Sequence, residues 1–197
     1  MRQATPPSAL DRVVLVGMMG TGKSTVACLL ASALGYGLVD TDKLVEGWAG
    51  GTVAEIFDHH GEQEFRVAEA DAIAEVGGTV GPLVVSVGGG AVLSEVNRRA
   101  MRELGTVVWL RARPATLAER VGEGLGRPLI AGAPNGPAGP LPAHEVLARL
   151  DSERRPLYEE VADIVVDVDD LSAAQVARRV LAALAERGRW APGARPG

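Results

Sequence analysis

The sequence has little of several features that mark particular classes of protein. Cys28 is its only cysteine in 197 residues, so no intramolecular disulfide can form. No apolar run approaches the ~20 residues of a membrane-spanning helix, and the first 11 residues contain two prolines and no apolar signal segment. The formal net charge of −5 argues against a broad basic face for nucleic acid. We therefore expect a soluble cytoplasmic protein that binds neither membrane nor nucleic acid.

Lysine is also scarce, because Lys23 and Lys43 are the only two among the 20 lysines and arginines. A GC-rich genome that replaces lysine by arginine wherever either serves explains most of this bias. Lys43 has no evident reason to remain lysine, and we expect it at the surface beside Asp42. Length and composition indicate one globular domain, at residues 12–187, between a flexible extension at 1–11 and a flexible tail at 188–197.

Apolar segments alternate with helical patterns along the chain. Strands are predicted at residues 13–16, 38–40, 83–87, 106–110 and 164–168. Helices are predicted at 23–34, at a short segment opened by a Thr52 capping box, and at 62–76, 94–104, 115–121, 143–161 (interrupted near Pro156) and 172–187. Apolar strands separated by helices indicate an α/β fold, a three-layer parallel sheet of about five strands with helices on both faces. Cys28 is expected to be a buried small hydrophobic residue on the first helix.

A phosphate-binding loop is the strongest motif. Residues 17–24 (GMMGTGKS) match G-x-x-x-x-G-K-[ST] between a predicted strand and a predicted helix. In such a loop backbone amides surround a polyphosphate, the lysine (Lys23) reaches the β and γ phosphates, and the serine (Ser24) ligates Mg²⁺. Arginine cannot replace a compact ammonium there, which explains why Lys23 remains lysine.

The rest of the sequence narrows the class of P-loop protein. Neither Asn97 nor Asn135 is followed by lysine, so the guanine-reading element of GTPases is missing. The strand at 83–87 is followed by three glycines rather than by the Asp-Glu of larger ATPases. Residues 122–142 hold six glycines and five prolines, a composition typical of a lid. A lid that excludes water suits a small-molecule kinase.

Two carboxylates follow the second predicted strand, in Asp40-Thr41-Asp42. The carboxyl ends of parallel strands face the ligand crevice, so one carboxylate can hold Mg²⁺ while the other binds an acceptor hydroxyl and takes its proton. The alternative is a helix N-cap, which Asp42 would suit for a helix beginning near Lys43.

These residues together resemble the shikimate kinase family over most of the chain, from about residue 13 to 168. The resemblance depends on the segments GMMGTGKST (17–25), DTD (40–42), GEQEFR (61–66), SVGGGAV (86–92), GRPL (126–129) and ERRPLYEEVAD (153–163). It implies a nucleoside-monophosphate-kinase-like P-loop fold with a lid. It also implies ATP- and Mg²⁺-dependent phosphorylation of the shikimate 3-hydroxyl in chorismate and aromatic amino-acid synthesis, by a monomer.

The resemblance also assigns roles to individual residues. ATP would be bound by Gly20, Thr21, Gly22, Lys23, Ser24, Thr25, Arg120 (on adenine) and Arg127 (from the lid, on the transferring phosphate). The metal would be held by Ser24 and Asp40. Shikimate would be bound by Asp42, which is also the candidate base, and through its carboxylate by Arg66, Arg154 and the loop Gly88, Gly89 and Gly90, with the Gly89 amide donating.

Several alternatives stay open at this point. Arg66 also suits a solvated partner of Glu62 or Glu69 on a charged helix. Arg154 is favoured over its neighbour Arg155 as the ligand only by counting back from the Pro-Leu-Tyr segment. The chain departs from the family in its longer, Gly/Pro-rich lid and in residues 169–172, which lack the usual adenine-loop arginine or Asn-Pro. A kinase for another hydroxy acid such as gluconate, or a P-loop module that binds nucleotide without catalysis, are the competing functions.

Overall fold

The computed structural model describes residues 12–122, 135–136, 139–140 and 142–187. The strands are β1 (Arg12–Val16), β2 (Gly37–Asp40), β3 (Leu83–Ser86), β4 (Thr106–Arg111), β5 (Asn135–Gly136), β6 (Gly139–Pro140) and β7 (Ile164–Asp167). Five of them form one sheet in the order β2-β3-β1-β4-β7 with every pairing parallel, while β5 and β6 form an antiparallel pair. The predicted five-stranded parallel sheet is confirmed.

Helices cover both faces of this sheet. They are α1 (Lys23–Leu34), α2 (Thr41–Ala49), α3 (Val53–Gly78), α4 (Glu95–Leu104), α5 (Pro114–Val121), α6 (Ala143–Val161) and α7 (Ala173–Glu186), with a short 3₁₀ helix at Ala91–Leu93. α1 packs against α7 on one side, and α3, α4 and α6 form the other layer. Every residue of β1 and β3 is buried between the layers, and apart from Arg12 and Ser86 all of these residues are apolar.

The strand register sets where the site forms. Asp40 of β2 lies opposite Ser86 of β3, and Ser86 lies opposite Leu15 of β1. The carboxyl ends of these three strands therefore lie in one row. The turns that follow them, at residues 17–22, 41–42 and 88–90, meet at the same edge of the sheet.

The helix ends agree with the local sequence signals. α1 ends at Gly35, whose φ of 69° is the left-handed conformation that glycine tolerates. Thr52 and Ser172 each form a capping box with the side chain three residues on. Gly61 has φ 83° and ψ 169°, so α3 bends there, where the sequence predicts a break between two helices.

Two local predictions are wrong. α6 continues through Pro156, although proline has no N–H to donate to the carbonyl of Ser152. Arg154 and Tyr158 on either side are buried against the body of the protein, and this packing outweighs the missing hydrogen bond. Cys28 is exposed rather than buried, because α1 turns Val26, Ala27, Leu30 and Ala31 towards the core.

Other predictions fall on residues outside the described part of the chain. These are the two terminal extensions, Arg127 and most of the lid at 122–142. The domain boundaries and the lid therefore stay predictions. Within the described residues, no helix is both long enough and apolar enough to cross a membrane.

A buried arginine, Arg12, connects the central strand β1 to the carboxyl end of α3 by hydrogen bonds. Arg12, only 5% exposed, donates from Nη1 to the Val76 carbonyl at 3.1 Å and from Nη2 to the Thr79 carbonyl. The last carbonyls of a helix have no intrahelical partner and carry partial negative charge, so a guanidinium both pairs them and complements the helix dipole.

Replacing this arginine therefore has a predictable cost. We expect Arg12→Met to lower the free energy of unfolding by about 2 kcal/mol, because buried carbonyls lose their donors. Arg149→Met is the matched control, since the Arg149 side chain is 69% exposed in its ion pair with Glu153, and it should cost at most about 0.5 kcal/mol. Urea denaturation measures both. If both substitutions lower the free energy of unfolding equally, the Arg12 hydrogen bonds contribute no more to stability than an exposed ion pair does.

Candidate active site

A cavity of about 420 Å³ lies at the carboxyl edge of β1, β2 and β3. Its wall includes residues of the phosphate loop, the β2–α2 junction, α6 and the three glycines at residues 88–90, which we call the glycine loop. Its lining includes Met19, Lys23, Ser24, Asp40, Asp42, Lys43, Glu46, Thr52, Val53, Ala54, Phe57, Phe65, Arg66, Glu69, Gly89, Gly90 and Arg154. The structure thus brings together most of the predicted site residues, although they are spread over more than a hundred positions of the sequence.

The phosphate loop needs its glycines for two reasons. A side chain on Gly17 would place its Cβ 2.5 Å from the Leu110 carbonyl oxygen. Gly20 and Gly22 have φ values of 82° and 87°, which other residues rarely adopt. Gly22 precedes α1 without any side-chain cap, which leaves the first amides of that helix directed at the loop. This arrangement is the anion site expected of a P-loop.

The Lys23 side chain folds back onto the phosphate loop. Lys23 Nζ donates to the carbonyls of Gly17 at 2.8 Å and Met18 at 3.0 Å. Thr21 closes the turn through its hydroxyl, which donates to the Met18 carbonyl at 2.8 Å. The ammonium and the loop amides therefore face the same space, where a polyphosphate would gain charge pairing and hydrogen bonds together.

Ser24 and Asp40 form the oxygen pair predicted for a metal. Ser24 Oγ donates to Asp40 Oδ2 at 2.7 Å, so the hydroxyl and carboxylate lie side by side next to the phosphate loop. Hard oxygen ligands suit Mg²⁺, which usually keeps several waters and takes one or two protein oxygens plus phosphate. The described residues contain no cluster of three or more metal-binding side chains. Two neighbouring oxygens match the number that a nucleotide-bound Mg²⁺ takes from a protein.

The N-cap of α2 is Asp40, not Asp42. Asp40 Oδ1 accepts from the amides of Asp42 at 3.1 Å and Lys43 at 3.4 Å, since the helix begins at Thr41, earlier than predicted. The capping alternative for Asp42 is therefore wrong. Asp42, in the first turn of α2, is directed instead at the glycine loop, where its Oδ1 lies 2.6 Å from the position that a Gly88 Cβ would take.

Charged side chains lie against two of the three glycines that follow β3. A Cβ on Gly88 would meet Glu69 Oε1 at 2.5 Å as well as Asp42, and a Cβ on Gly90 would overlap the Arg66 guanidinium. Gly89 lies instead against the phosphate loop, where its Cβ would be 3.2 Å from the Gly17 carbonyl oxygen. A side chain at position 88 or 90 would therefore displace a charged group of the site.

Arg66 pairs with acidic neighbours on α3 and also lines the cavity. Its Nη2 donates to Glu62 Oε1 and its Nη1 to Glu69 Oε2, both at 2.9 Å, as expected on a charged helix. The Arg66 side chain is nevertheless only 23% exposed and lies in the cavity. Burial raises the pKa of Glu69 above its usual range, against the attraction of Arg66. Glu69 Oε1 has no hydrogen-bond partner among the described residues.

The structure separates the two neighbouring arginines of α6. Arg154 is 2% exposed, lines the cavity and donates from Nη1 to the Gly89 carbonyl at 3.3 Å. Its Nε has no partner among the described residues. Arg155 pairs with Asp151 at 2.6 Å and is not among the cavity-lining residues. The structure thus places Arg154, and not Arg155, at the cavity, while the binding of substrate by Arg154 stays a prediction.

Lys43 and Arg120 lie further from the centre of the site. Lys43 is at the surface as expected, 77% exposed and paired with Glu46 at 2.6 Å. Arg120 is not among the cavity-lining residues and donates to the carbonyls of Val168 at 2.7 Å and Asp169 at 2.9 Å, just after β7. Its predicted contact with adenine stays a prediction.

Sequence reasoning missed two parts of the site. Phe57 and Phe65, with ring centroids 4.7 Å apart, form an apolar wall beside Arg66. Glu69 and Tyr158 were not assigned to the site, yet they contact the glycine loop. Helical spacing was the available signal, because Glu69 follows Arg66 by three residues and Tyr158 follows Arg154 by four, which places each pair on one helix face.

Comparison with known proteins gives a consistent result. The family model "Shikimate kinase" matches residues 19–185. The shikimate kinase of Symbiobacterium thermophilum is 44% identical over 178 residues, covering 89% of this chain and 97% of the relative, and that of Moorella thermoacetica is 43% identical over 172 residues, covering 87% and 93%. A solved structure, shikimate kinase from Acinetobacter baumannii in complex with shikimate, superposes with a TM-score of 0.82 at 31% identity, covering 90% of this chain and 94% of that one. Because the family model spans most of the chain and both relatives are more than 40% identical over nearly their whole length, the chain belongs to the shikimate kinase family.

Proposed function

We propose that this chain transfers the γ-phosphate of ATP to the 3-hydroxyl of shikimate, with Mg²⁺ bound to the nucleotide. One observation carries the proposal: a P-loop and two guanidiniums, those of Arg66 and Arg154, line the same cavity of about 420 Å³. The first element suits a polyphosphate and the second suits a small carboxylic acid. The solved relative from A. baumannii holds shikimate, which supports this choice of acid.

Arg66 and Arg154 line one end of the cavity, which we call the acid end because we propose that it binds the acid substrate. Arg66 approaches over Gly90 and Arg154 over Gly89, so two planar guanidiniums converge on one short loop. Guanidinium groups bind carboxylates through paired N–H donors. Arg154 Nε has no partner among the described residues, and a bound carboxylate would supply an acceptor close by.

Asp42 is the proposed base at the end of the cavity where the phosphate is transferred. Its carboxylate lies between the metal-binding pair and the glycine loop, close to Gly88. As the shikimate 3-hydroxyl attacks, Asp42 takes its proton and the hydroxyl oxygen forms a bond to the γ-phosphorus. The bond from that phosphorus to the bridging oxygen breaks, and ADP leaves with the electron pair.

Charge neutralisation around the phosphates falls to several groups. Lys23 and the amides of Gly20–Thr25 face the transferring group. A Mg²⁺ ion held by Ser24 and Asp40 would supply further neutralisation when bound. Arg127 from the lid and Arg120 near adenine complete the proposed nucleotide site.

Further parts of the proposal concern the protein as a whole. We place it in the cytoplasm, as a monomer with a lid at 122–142, acting in chorismate and aromatic amino-acid synthesis. The family assignment supports the pathway. All the residues that line the cavity belong to one chain, which supports the monomer.

A coupled ADP-release assay tests the reaction itself. With Mg²⁺ and ATP, the protein should release ADP on addition of shikimate and not on addition of gluconate, whose kinases should lack the paired arginines. ADP release with gluconate alone, or with neither acid, would contradict the proposal. Nucleotide binding without any turnover would favour a regulatory P-loop module.

Asp42→Asn tests the proposed base. We expect kcat to fall by about 10³-fold or more, because a positioned base contributes about 10²–10⁴-fold, while the affinity for ATP measured by calorimetry is retained. The matched control is Asp71→Asn, an exposed position on α3, which should keep normal turnover. Near-normal turnover by Asp42→Asn would remove Asp42 as the base.

The two arginines of α6 give a sharp test of the acid-binding site. Arg154→Lys should raise the KM for shikimate by about tenfold or more, because an ammonium cannot form the paired contacts of a guanidinium. Arg155→Lys, one residue away and outside the cavity, should leave that KM close to normal. The reverse pattern would show that the register is wrong.

Asp40→Asn separates the metal role from the capping role of this residue. Asparagine caps helices as well as aspartate does, so the melting temperature should change little. The loss of a negative oxygen should instead raise the Mg²⁺ concentration needed for half-maximal rate, by about tenfold. A lowered melting temperature with an unchanged Mg²⁺ requirement would assign Asp40 to capping only.

A further inference from the structure

The glycine loop at residues 88–90 is a flexible segment that must hold a fixed shape. Three consecutive glycines have more accessible backbone conformations than any other tripeptide. A loop that presents amides to an anion works best when its donors are already in position, because ordering them on binding would cost affinity. Contacts from outside the loop must therefore supply the order that its sequence lacks.

Tyr158 of α6 supplies one such contact. Its hydroxyl donates to the Gly89 carbonyl at 2.6 Å, and the side chain is completely buried. The ring stacks on Trp109 of β4, with centroids 5.6 Å apart and planes 19° apart. Trp109 is itself only 2% exposed. The stacking contact therefore holds the Tyr158 ring, and with it the hydroxyl, against the buried core of the protein.

Other contacts hold the loop from different sides. Arg154 Nη1 donates to the same Gly89 carbonyl at 3.3 Å, and the Gly88 amide donates to Thr41 Oγ1 at 3.1 Å. Within the described residues, the amides of Gly89 and Gly90 donate to no protein acceptor. Backbone hydrogen bonds from the Ala91 amide to the Gly88 carbonyl and from the Leu93 amide to the Gly90 carbonyl complete the set. The loop is thus fixed through its three carbonyls and the Gly88 amide, while the amides of Gly89 and Gly90 remain for a ligand.

We propose that Tyr158 is a positioning residue for substrate binding: its hydroxyl fixes Gly89 so that the loop amides and Arg154 meet the substrate carboxylate together. This inference rests on the function proposed above. Burial raises the pKa of Tyr158, against the opposing effect of Arg154, so the hydroxyl stays protonated and remains a donor. Tyr158 is not among the residues that line the cavity, so it acts through Gly89 rather than on a ligand directly.

Tyr158→Phe tests this role, because it removes the hydroxyl and keeps the ring on Trp109. The KM for shikimate should rise by about tenfold, the usual scale for one lost hydrogen bond, with the KM for ATP unchanged. The matched control is Tyr36→Phe, the only other tyrosine, which precedes β2 at the opposite edge of the sheet and should leave both constants unchanged. A merely structural role would lower the melting temperature of Tyr158→Phe without moving the KM for shikimate, and that result would overturn the inference.

A second measurement keeps Tyr158 intact. In the Tyr36→Phe background, 3-fluorotyrosine labels Tyr158 alone, because the chain has two tyrosines. Its ¹⁹F resonance should shift when shikimate is added and stay in place when ADP is added alone. No shift with saturating shikimate would overturn the inference. Absence of shikimate-dependent turnover in the wild-type protein would instead overturn the proposed function, so the two failures are distinguishable.

Discussion

The site depends on one constraint, the parallel register of β2, β3 and β1. Because Asp40, Ser86 and Leu15 lie in one row across the sheet, the turns that follow them share one edge. The phosphate loop, the Asp40 carboxylate and the glycine loop thereby meet, although the chain separates them by up to about seventy residues. A slip of one residue in any pairing would turn the buried faces of these strands over and separate the groups.

Buried charged side chains surround the cavity, and burying a charge costs free energy unless the charge is paired. Arg66, Glu69 and Arg154 pack around the glycine loop, yet Arg154 Nε and Glu69 Oε1 find no partner among the described residues. Desolvated charges of this kind contribute little to stability and are expected where binding requires them. An anionic substrate would improve the balance, since it adds negative charge beside two guanidiniums. The site is therefore more complete with its ligand than without it.

Much of this architecture follows from local sequence signals. Apolar runs located all five strands of the main sheet, and the Thr52 capping box marked the start of α3 correctly because capping is a local interaction. The phosphate loop was equally clear. Properties that depend on packing were not predictable from the sequence. Periodicity could not reveal that α6 passes through Pro156, or which residues lie against the glycine loop, because only the folded structure sets those distances.

The central claim is that one cavity binds the acid and the nucleotide in positions that allow direct transfer. A crystal structure of the protein with shikimate, ADP and Mg²⁺ tests it most directly. The account predicts the shikimate carboxylate between Arg66 and Arg154, its 3-hydroxyl beside Asp42, and the ADP phosphates on the loop at residues 17–24. Shikimate bound with its carboxylate away from both arginines, or with its 3-hydroxyl turned away from the phosphates, would contradict it.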